Sequence, residues 1–418
     1  MDLILAIGIM IIVGFFGGLL ARKLRLPRIT GYIIIGILLS PSILRLLHVP
    51  DGLIIPEDLI NGVSGNPGLS IIADIGLGFI AFLVGGSLRL ESLRELEKSI
   101  AWIMPLESLT AWLLVTLLLA FLGPFILFGI PNPSFYRTYL PFALIIGAVS
   151  CATAPAATMA IIHEYKAKGP MTTTLLATVS LDDAVAVIAL AIALSISKML
   201  TGGTISALQM VAFPLVEIFG SIAIGLILGI ALIYIARLAK TRELLLVTIL
   251  GTIMLCVGAC IYAENWFSLS YILASMAAGF VVVNRARSIG MFDVLGEIEE
   301  VIFAMFFVLA GMHFDLDVIK VAGIVALLIV IGRCTGKYIG ARTGAVISQA
   351  PDPVKKYLGL ALLPKAGVTM GLVILAEKAF PSFGAIMINA VLASVIINEL
   401  IAPPLAKYAI FKAGEARG

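Results

Sequence analysis

Thirteen long apolar runs decide what this chain can fold into. They lie near 3–21, 29–46, 68–88, 99–123, 139–162, 172–199, 208–236, 243–263, 266–284, 293–313, 318–341, 356–377 and 383–408. A helix of roughly 20 mainly apolar residues crosses a hydrocarbon core about 30 Å thick. Backbone inside lipid must satisfy its own N–H and C=O groups, so such runs read as helices and the chain as an all-α, multi-pass membrane protein. The tenth run is the least regular, since Glu297, Glu299 and Glu300 interrupt its start. Charged residues make up 13% of the chain and hydrophobic ones 61%. Soluble domains carry about a quarter charged residues, so this composition cannot clothe a water-facing surface.

An odd number of spans puts the termini on opposite sides, and Lys and Arg choose which. Loops after odd-numbered spans, with the segment after the last, hold 20 of the 28 cations, whereas the other side holds Arg45, Arg137, Lys198, Lys320 and Lys378. Cytoplasmic loops are the ones enriched in Lys and Arg. The expectation is a cell-membrane protein (inner or plasma membrane) with its N-terminus outside and its C-terminus in the cytoplasm. Asp2 opens the first run and Arg22, Lys23 and Arg25 follow it, the order of a retained span rather than a cleaved signal. A net charge of +3 spread over short loops points to no nucleic-acid partner. Cys151, Cys256, Cys260 and Cys334 fall in apolar runs and read as packing residues. No metal cluster, nucleophile–base pair or phosphate loop stands out, so neither an enzyme nor a cofactor is expected.

Three cations remain, Arg333, Lys337 and Lys365, and all fall inside runs. A charge at mid-bilayer costs about 2.5–3.5 kcal/mol on insertion scales, so such residues pair or line an ion path. Asp182 and Asp183 stand side by side near the middle of the sixth run. Lys337 is the better partner for them, since a desolvated lysine can lose its proton and arginine cannot. Arg333 is left to satisfy a carboxylate structurally. Asp74 and Glu107 are buried acids that could carry ions or serve as structural partners for Arg333 or Lys365. Pro155 in the fifth run, next to Thr153 and Ala154, predicts a broken helix with free carbonyls. Pro364, Gly367 and Gly371 predict a comparable interruption in the twelfth. Broken helices at corresponding places in two halves point to a transporter's midplane site. The fifth and twelfth spans are seven apart, an odd offset, which predicts inverted repeats at 1–201 and 241–418 with a linker span at 202–240.

With the residues in hand, the chain resembles the cation/proton antiporter superfamily. The likeness rests on the segments at 29–44 (ITGYIIIGILLSPSIL) and 74–90 (DIGLGFIAFLVGGSLRL), on Thr153–Pro155 and on the LDDA at 181–184. It rests also on the segments at 303–315 (FAMFFVLAGMHFD) and 336–341 (GKYIGA), and so covers nearly the whole chain. The resemblance implies a core domain with two crossed broken helices, a dimerisation domain and a homodimer in the lipid bilayer. It implies Asp183 as principal ligand for cation and proton, Asp182 and Lys337 as a breakable pair, and Thr153, the backbone at Ala154 and Ser180 as further contributors. The activity implied is electrogenic exchange of Na⁺, with Li⁺ a possible substitute, for H⁺ by alternating access. If Lys337 also sheds a proton, two protons per cation follow. Exchange of K⁺ on the same carboxylates is the alternative, ahead of a channel-like efflux protein or a symporter of organic anions. The segment at Lys365–Gly367 departs from the Arg-Gly-Glu of some relatives, and no nucleotide-binding regulatory domain is expected after the last span.

Overall fold

The computed structural model describes residues 3–24, 28–50, 54–56, 59–60, 68–88, 90, 97–127, 133–153, 158, 161–162, 165–201, 207–263, 269–286, 290–316, 319–365 and 367–416. Every one of the thirteen runs carries helix. In chain order these are α1 (Leu3–Leu24), α2 (Arg28–Leu38), α3 (Pro41–Leu46), α4 (Ser70–Ser87), α5 (Glu97–Ile126) and α6 (Leu140–Val149), the last entered through a π-turn at Phe135–Tyr139. Next come α7 (Pro170–Leu200), α8 (Ala207–Ala236), α9 (Arg242–Ala263), α10 (Tyr271–Arg285), α11 (Met291–Leu295) and α12 (Glu299–Met312). The chain closes with α13 (Ile319–Ile347), α14 (Asp352–Ala361), α15 (Gly367–Ala379) and α16 (Gly384–Lys412). Among the described residues, seven helices are long and apolar enough to cross a membrane by length and composition. The other runs hold shorter helices or pairs of helices. Large apolar side chains such as Phe15, Phe121, Phe125, Ile227 and Leu255 stand exposed, as a lipid-facing surface requires.

Four runs are split, each with an identifiable cause. Pro41 starts α3 after α2 has ended at Leu38, so the second run is two helices. The tenth is divided by a turn at Gly296, between α11 and α12. In the fifth, α6 ends at Val149, and residues 150–153 leave the helix ahead of Pro155. Pro155 and Ala154 lie outside the described residues. In the twelfth, α14 ends at Ala361 and α15 begins at Gly367, with Pro364 between them. Proline removes a donor and collides with the carbonyl four residues back, and α2, α6 and α14 each stop a few residues before one. Gly371 lies within α15 rather than in the interruption.

The chain forms two compact units, each discontinuous in sequence. The first comprises Met1–Ser87 and Leu215–Ile319, and the second Leu88–Pro214 and Lys320–Gly418. Unit 2 thus gathers the fourth to sixth and the eleventh to thirteenth spans. Unit 1 holds the first three and, apart from the start of the seventh, the seventh to tenth. Within unit 1, Glu300 accepts hydrogen bonds from Arg28 and from the Tyr32 hydroxyl, and Asp74 accepts from the Tyr271 hydroxyl at 2.9 Å.

Within unit 2, α5 and α13 run in backbone contact. Gly332, Gly336, Gly340 and Gly344 recur every four residues on α13, and four-residue spacing keeps them on one face. A Cβ at Gly336, Gly340 or Gly344 would come 2.5 Å from the Cα of Ala111, Glu107 or Ile103, which are themselves four apart on α5. Small residues at such a seam let helices approach closely. Replacing Gly336 or Gly340 with leucine should cost at least the ~1–3 kcal/mol of ordinary overpacking. Thermal unfolding in detergent should show the loss, whereas leucine at Gly323, whose Cβ would meet nothing within 4 Å, should leave stability nearly unchanged.

Candidate functional site

The glycine seam sets where the buried charges meet. Lys337 follows Gly336 on α13, and Glu107 sits opposite Gly340 on α5. Lys337 Nζ donates to Glu107 Oε2 at 2.5 Å and to Asp182 Oδ2 at 2.9 Å, with all three side chains fully buried. Ser108 Oγ donates to the other Glu107 oxygen at 2.6 Å. The lysine is thus shared between two carboxylates from two helices. Asp182 Oδ2 also accepts from Thr153 Oγ1 at 2.5 Å, which ties α7 to the interruption after α6. Three oxygens remain, Asp182 Oδ1 and both of Asp183, buried and without a hydrogen-bond partner among the described residues. The Thr153 amide faces Asp183. Beside Thr153, then, lie three desolvated carboxylate oxygens.

Arg333, one turn before Lys337, has a different task from the one its sequence suggested. Among the described residues it pairs with no carboxylate. Its Nε donates to Ser150 O at 3.0 Å and its Nη2 to Ala152 O at 2.8 Å, in the interruption after α6. Nη1 donates to Leu363 O at 2.6 Å and Nη2 to Pro364 O at 3.4 Å, in the interruption after α14. Both groups of carbonyls follow a helix C-terminus, where the aligned dipoles leave roughly half a negative charge each. One guanidinium therefore answers two helix ends and holds the two interruptions side by side. Thr153 Oγ1 also lies 3.4 Å from Leu362 O, across the same junction.

The remaining expectations divide. Glu107 serves Lys337, not Arg333 or Lys365. The reason is the glycine seam, which brings its backbone against α13 beside that lysine. Asp74 belongs to unit 1, where it accepts a hydrogen bond from Tyr271. Lys365, fully buried, donates to Ser394 Oγ at 3.3 Å. The side chain of Ser180 lies outside the described residues, as does Ala154. Cys151, Cys256 and Cys260 are buried, and among the described residues no group of three or more His, Cys, Asp or Glu could hold a metal. Neither the four-glycine stripe, although its spacing is visible, nor Glu415 stands out in the sequence. That residue is buried against the start of α7.

Removing the Arg333 head group would strand four buried carbonyls. Arg333→Met should destabilise the protein by about 3 kcal/mol or more, the scale for breaking a buried charged network. Arg333→Lys should recover only part of that, because an ammonium cannot reproduce the planar fork. Thermal unfolding of the two variants in detergent checks both statements.

Known proteins resemble this chain in sequence and in fold. The profile of a family described as sodium/hydrogen exchanger, transmembrane, matches residues 9–408. The high-affinity Na⁺/H⁺ antiporter NhaS3 of Synechocystis is 24% identical, over 93% of this chain and 85% of its own. The Na⁺/H⁺ antiporter NhaS4 of the same organism is 26% identical, over 96% of each. Among solved structures, the sodium proton antiporter MjNhaP1 of Methanocaldococcus jannaschii at pH 8 superposes with a TM-score of 0.76 at 18% identity, over 98% of each chain. That likeness shows a common fold.

Proposed function

This chain belongs to the sodium/hydrogen exchanger family, and on that premise we propose that it exchanges Na⁺ for H⁺ by alternating access, with Asp182 and Asp183 carrying both ions. The observation that carries the reading is the set of three buried carboxylate oxygens beside Thr153 that have no hydrogen-bond partner among the described residues. An ionised carboxylate out of water is costly unless a proton or a cation answers it. Na⁺ and H⁺ are thus alternative occupants of the same oxygens. Because both cannot be held at once, each displaces the other, and the displacement is the coupling. The antiporter names of NhaS3 and NhaS4 support the choice of ions.

In the working cycle, a cation shed of its water takes the free oxygens of Asp183 and Asp182, with the Thr153 hydroxyl as a further ligand. Asp182 then relaxes its hold on Lys337. Glu107, 2.5 Å from the same ammonium, keeps that charge answered while Asp182 is engaged. Lys337 therefore need not surrender a proton, and the two aspartates suffice to return two protons per Na⁺. Exchange is electrogenic on this account. The inverted-repeat division into 1–201 and 241–418 belongs to the same proposal. It is supported by the way unit 2 collects the fourth to sixth and the eleventh to thirteenth spans. The 20 cations on one side support a cytoplasmic C-terminus in a cell membrane.

The test is proton movement in proteoliposomes carrying a pH gradient, with Na⁺, Li⁺ and K⁺ added in turn. Na⁺ should collapse the gradient in the wild type and not in Asp183→Asn. Full activity in Asp183→Asn would remove that residue from the site, and a response to K⁺ alone would change the cargo. Since protons compete for the same oxygens, lowering the pH should raise the apparent KM for Na⁺. Where a single proton competes, the rise is about tenfold per pH unit. Lys337→Arg cannot deprotonate, so it should still carry net charge in a solid-supported-membrane recording. Current lost with exchange retained would make the lysine a proton carrier instead.

A further inference from the structure

The helix that bears Asp182 and Asp183 starts without a cap of its own. The N-cap of α7 is Gly169, with no side chain to accept a hydrogen bond, and no acid lies in the first turn. The first N–H groups of a helix have no partner within it and carry roughly half a positive charge. Here they are answered from the far end of the sequence. Glu415, after α16, accepts from the Met171 N–H at 2.7 Å through one carboxylate oxygen. Its other oxygen accepts from the Thr172 N–H at 2.7 Å and from the Thr172 hydroxyl at 2.6 Å. The Lys168 N–H donates to the Glu415 carbonyl at 3.0 Å, so the backbone of the segment is held too.

The seat is fitted to its occupant. Glu415 is only 6% exposed. Gly414 takes a left-handed φ of +73°, which turns the chain back after α16. A Cβ on Gly169 would strike the Glu415 carboxylate itself, so the missing cap and the borrowed one are complementary. Around it, Tyr165 packs against Phe411, and the Lys407 ammonium lies 4.7 Å from the Tyr165 ring centre, fastening the end of α16 beside the same turn.

We propose that Glu415 is a positioning residue for ion exchange, setting the height and rotation of α7 and hence the placement of Asp182 and Asp183. This rests on the reading of those aspartates as the exchange site. From Met171 to Asp182 is a little over three helical turns, about 16 Å at 1.5 Å per residue, a length over which a helix moves as a rod. The Asp182 contacts at 2.5 and 2.9 Å leave little room for such a movement. A frayed first turn lets the rod slide or rotate, and the aspartates then meet the cation in the wrong place. Loss of the seat should therefore show as weaker cation binding rather than as less folded protein.

The experiment uses the full chain as wild type, Glu415→Ala, Glu415→Gln and the double variant Gly169→Asp with Glu415→Ala. The double variant installs a local N-cap in the space the glutamate vacates. Hydrogen–deuterium exchange of peptides covering Met171 and Thr172 reads the cap, and the apparent KM for Na⁺ in proteoliposomes reads the site. In Glu415→Ala the two amides should exchange about fivefold faster, the scale of one lost cap, and the KM should rise several-fold in monodisperse protein. Glu415→Gln should fall between the two, and it carries the test if the alanine variant does not fold. The double variant should restore both readouts. Unchanged amide exchange in Glu415→Ala would overturn the cap, and faster exchange with an unchanged KM would overturn the positioning role. A KM that rises but is not rescued by Gly169→Asp would also overturn it. A wild type that moves no protons with Na⁺ would strike the exchange reading, and that failure is told apart because the amide readout does not depend on transport.

Discussion

The second unit depends on one guanidinium. Two helices stop in the middle of apolar spans, and each stop leaves carbonyls that lipid cannot satisfy and a partial negative charge that nothing local cancels. Arg333 meets both needs at once through Nε, Nη1 and Nη2. The summed charge of two helix ends is roughly one elementary charge, which a single arginine matches. The interruptions are thus stable because they are paired, and they are paired because one side chain with a rigid fork lies between them. Thr153 is placed against Asp182 as a consequence, since it sits directly after the carbonyls that Arg333 holds.

The glycine stripe of α13 does the second part of the assembly. Bulkier residues at Gly336 and Gly340 would push α5 away, and Glu107 would no longer reach Lys337 at 2.5 Å. With the helices in contact, Lys337 has two carboxylate partners of different kinds. Glu107 is fixed by Ser108 and belongs to a helix that is not itself interrupted. Asp182 is tied to Thr153 at the junction itself. Neighbours in sequence, the two aspartates are unlike in situation: Asp182 is partly answered by the lysine and a hydroxyl, whereas neither oxygen of Asp183 has a hydrogen-bond partner among the described residues. Helix geometry, which turns successive residues by about 100°, is enough to separate their environments.

Much of this was legible in the sequence, and what was not has a physical reason. The spans were legible because lipid imposes length and apolarity on every crossing segment. The two interruptions that Arg333 joins were legible at Pro155 and Pro364 only with their polar neighbours, for proline alone is a poor guide. Pro105 lies inside the unbroken α5, and Pro403 and Pro404 inside α16. The partner of Glu107 was not legible, because pairing across helices is set by the seam that joins them. The role of Arg333 was missed for a related reason. Sequence shows an arginine and some acids and invites their pairing, while the carbonyls of a broken helix leave no mark on composition. Glu415 is further removed still, since its partners lie more than two hundred residues away on α7.

Within the exchange reading, the charge arrangement also explains why an empty site should not cross freely. Arg333 is engaged by the helix ends, and the hydrogen bond of Lys365 goes to Ser394. Lys337 can answer one charge among Glu107 and Asp182. One of those carboxylates and Asp183 are then left uncompensated in a desolvated place, which is the costly condition for buried charge. A cation relieves part of that deficit, and two protons relieve all of it. The occupied forms are therefore the ones that can be reoriented cheaply, and return without a passenger is opposed by the same unpaired oxygens that attract one. Coupling on this view needs no separate gate, because the binding energy of either ion is drawn from the instability of the bare site.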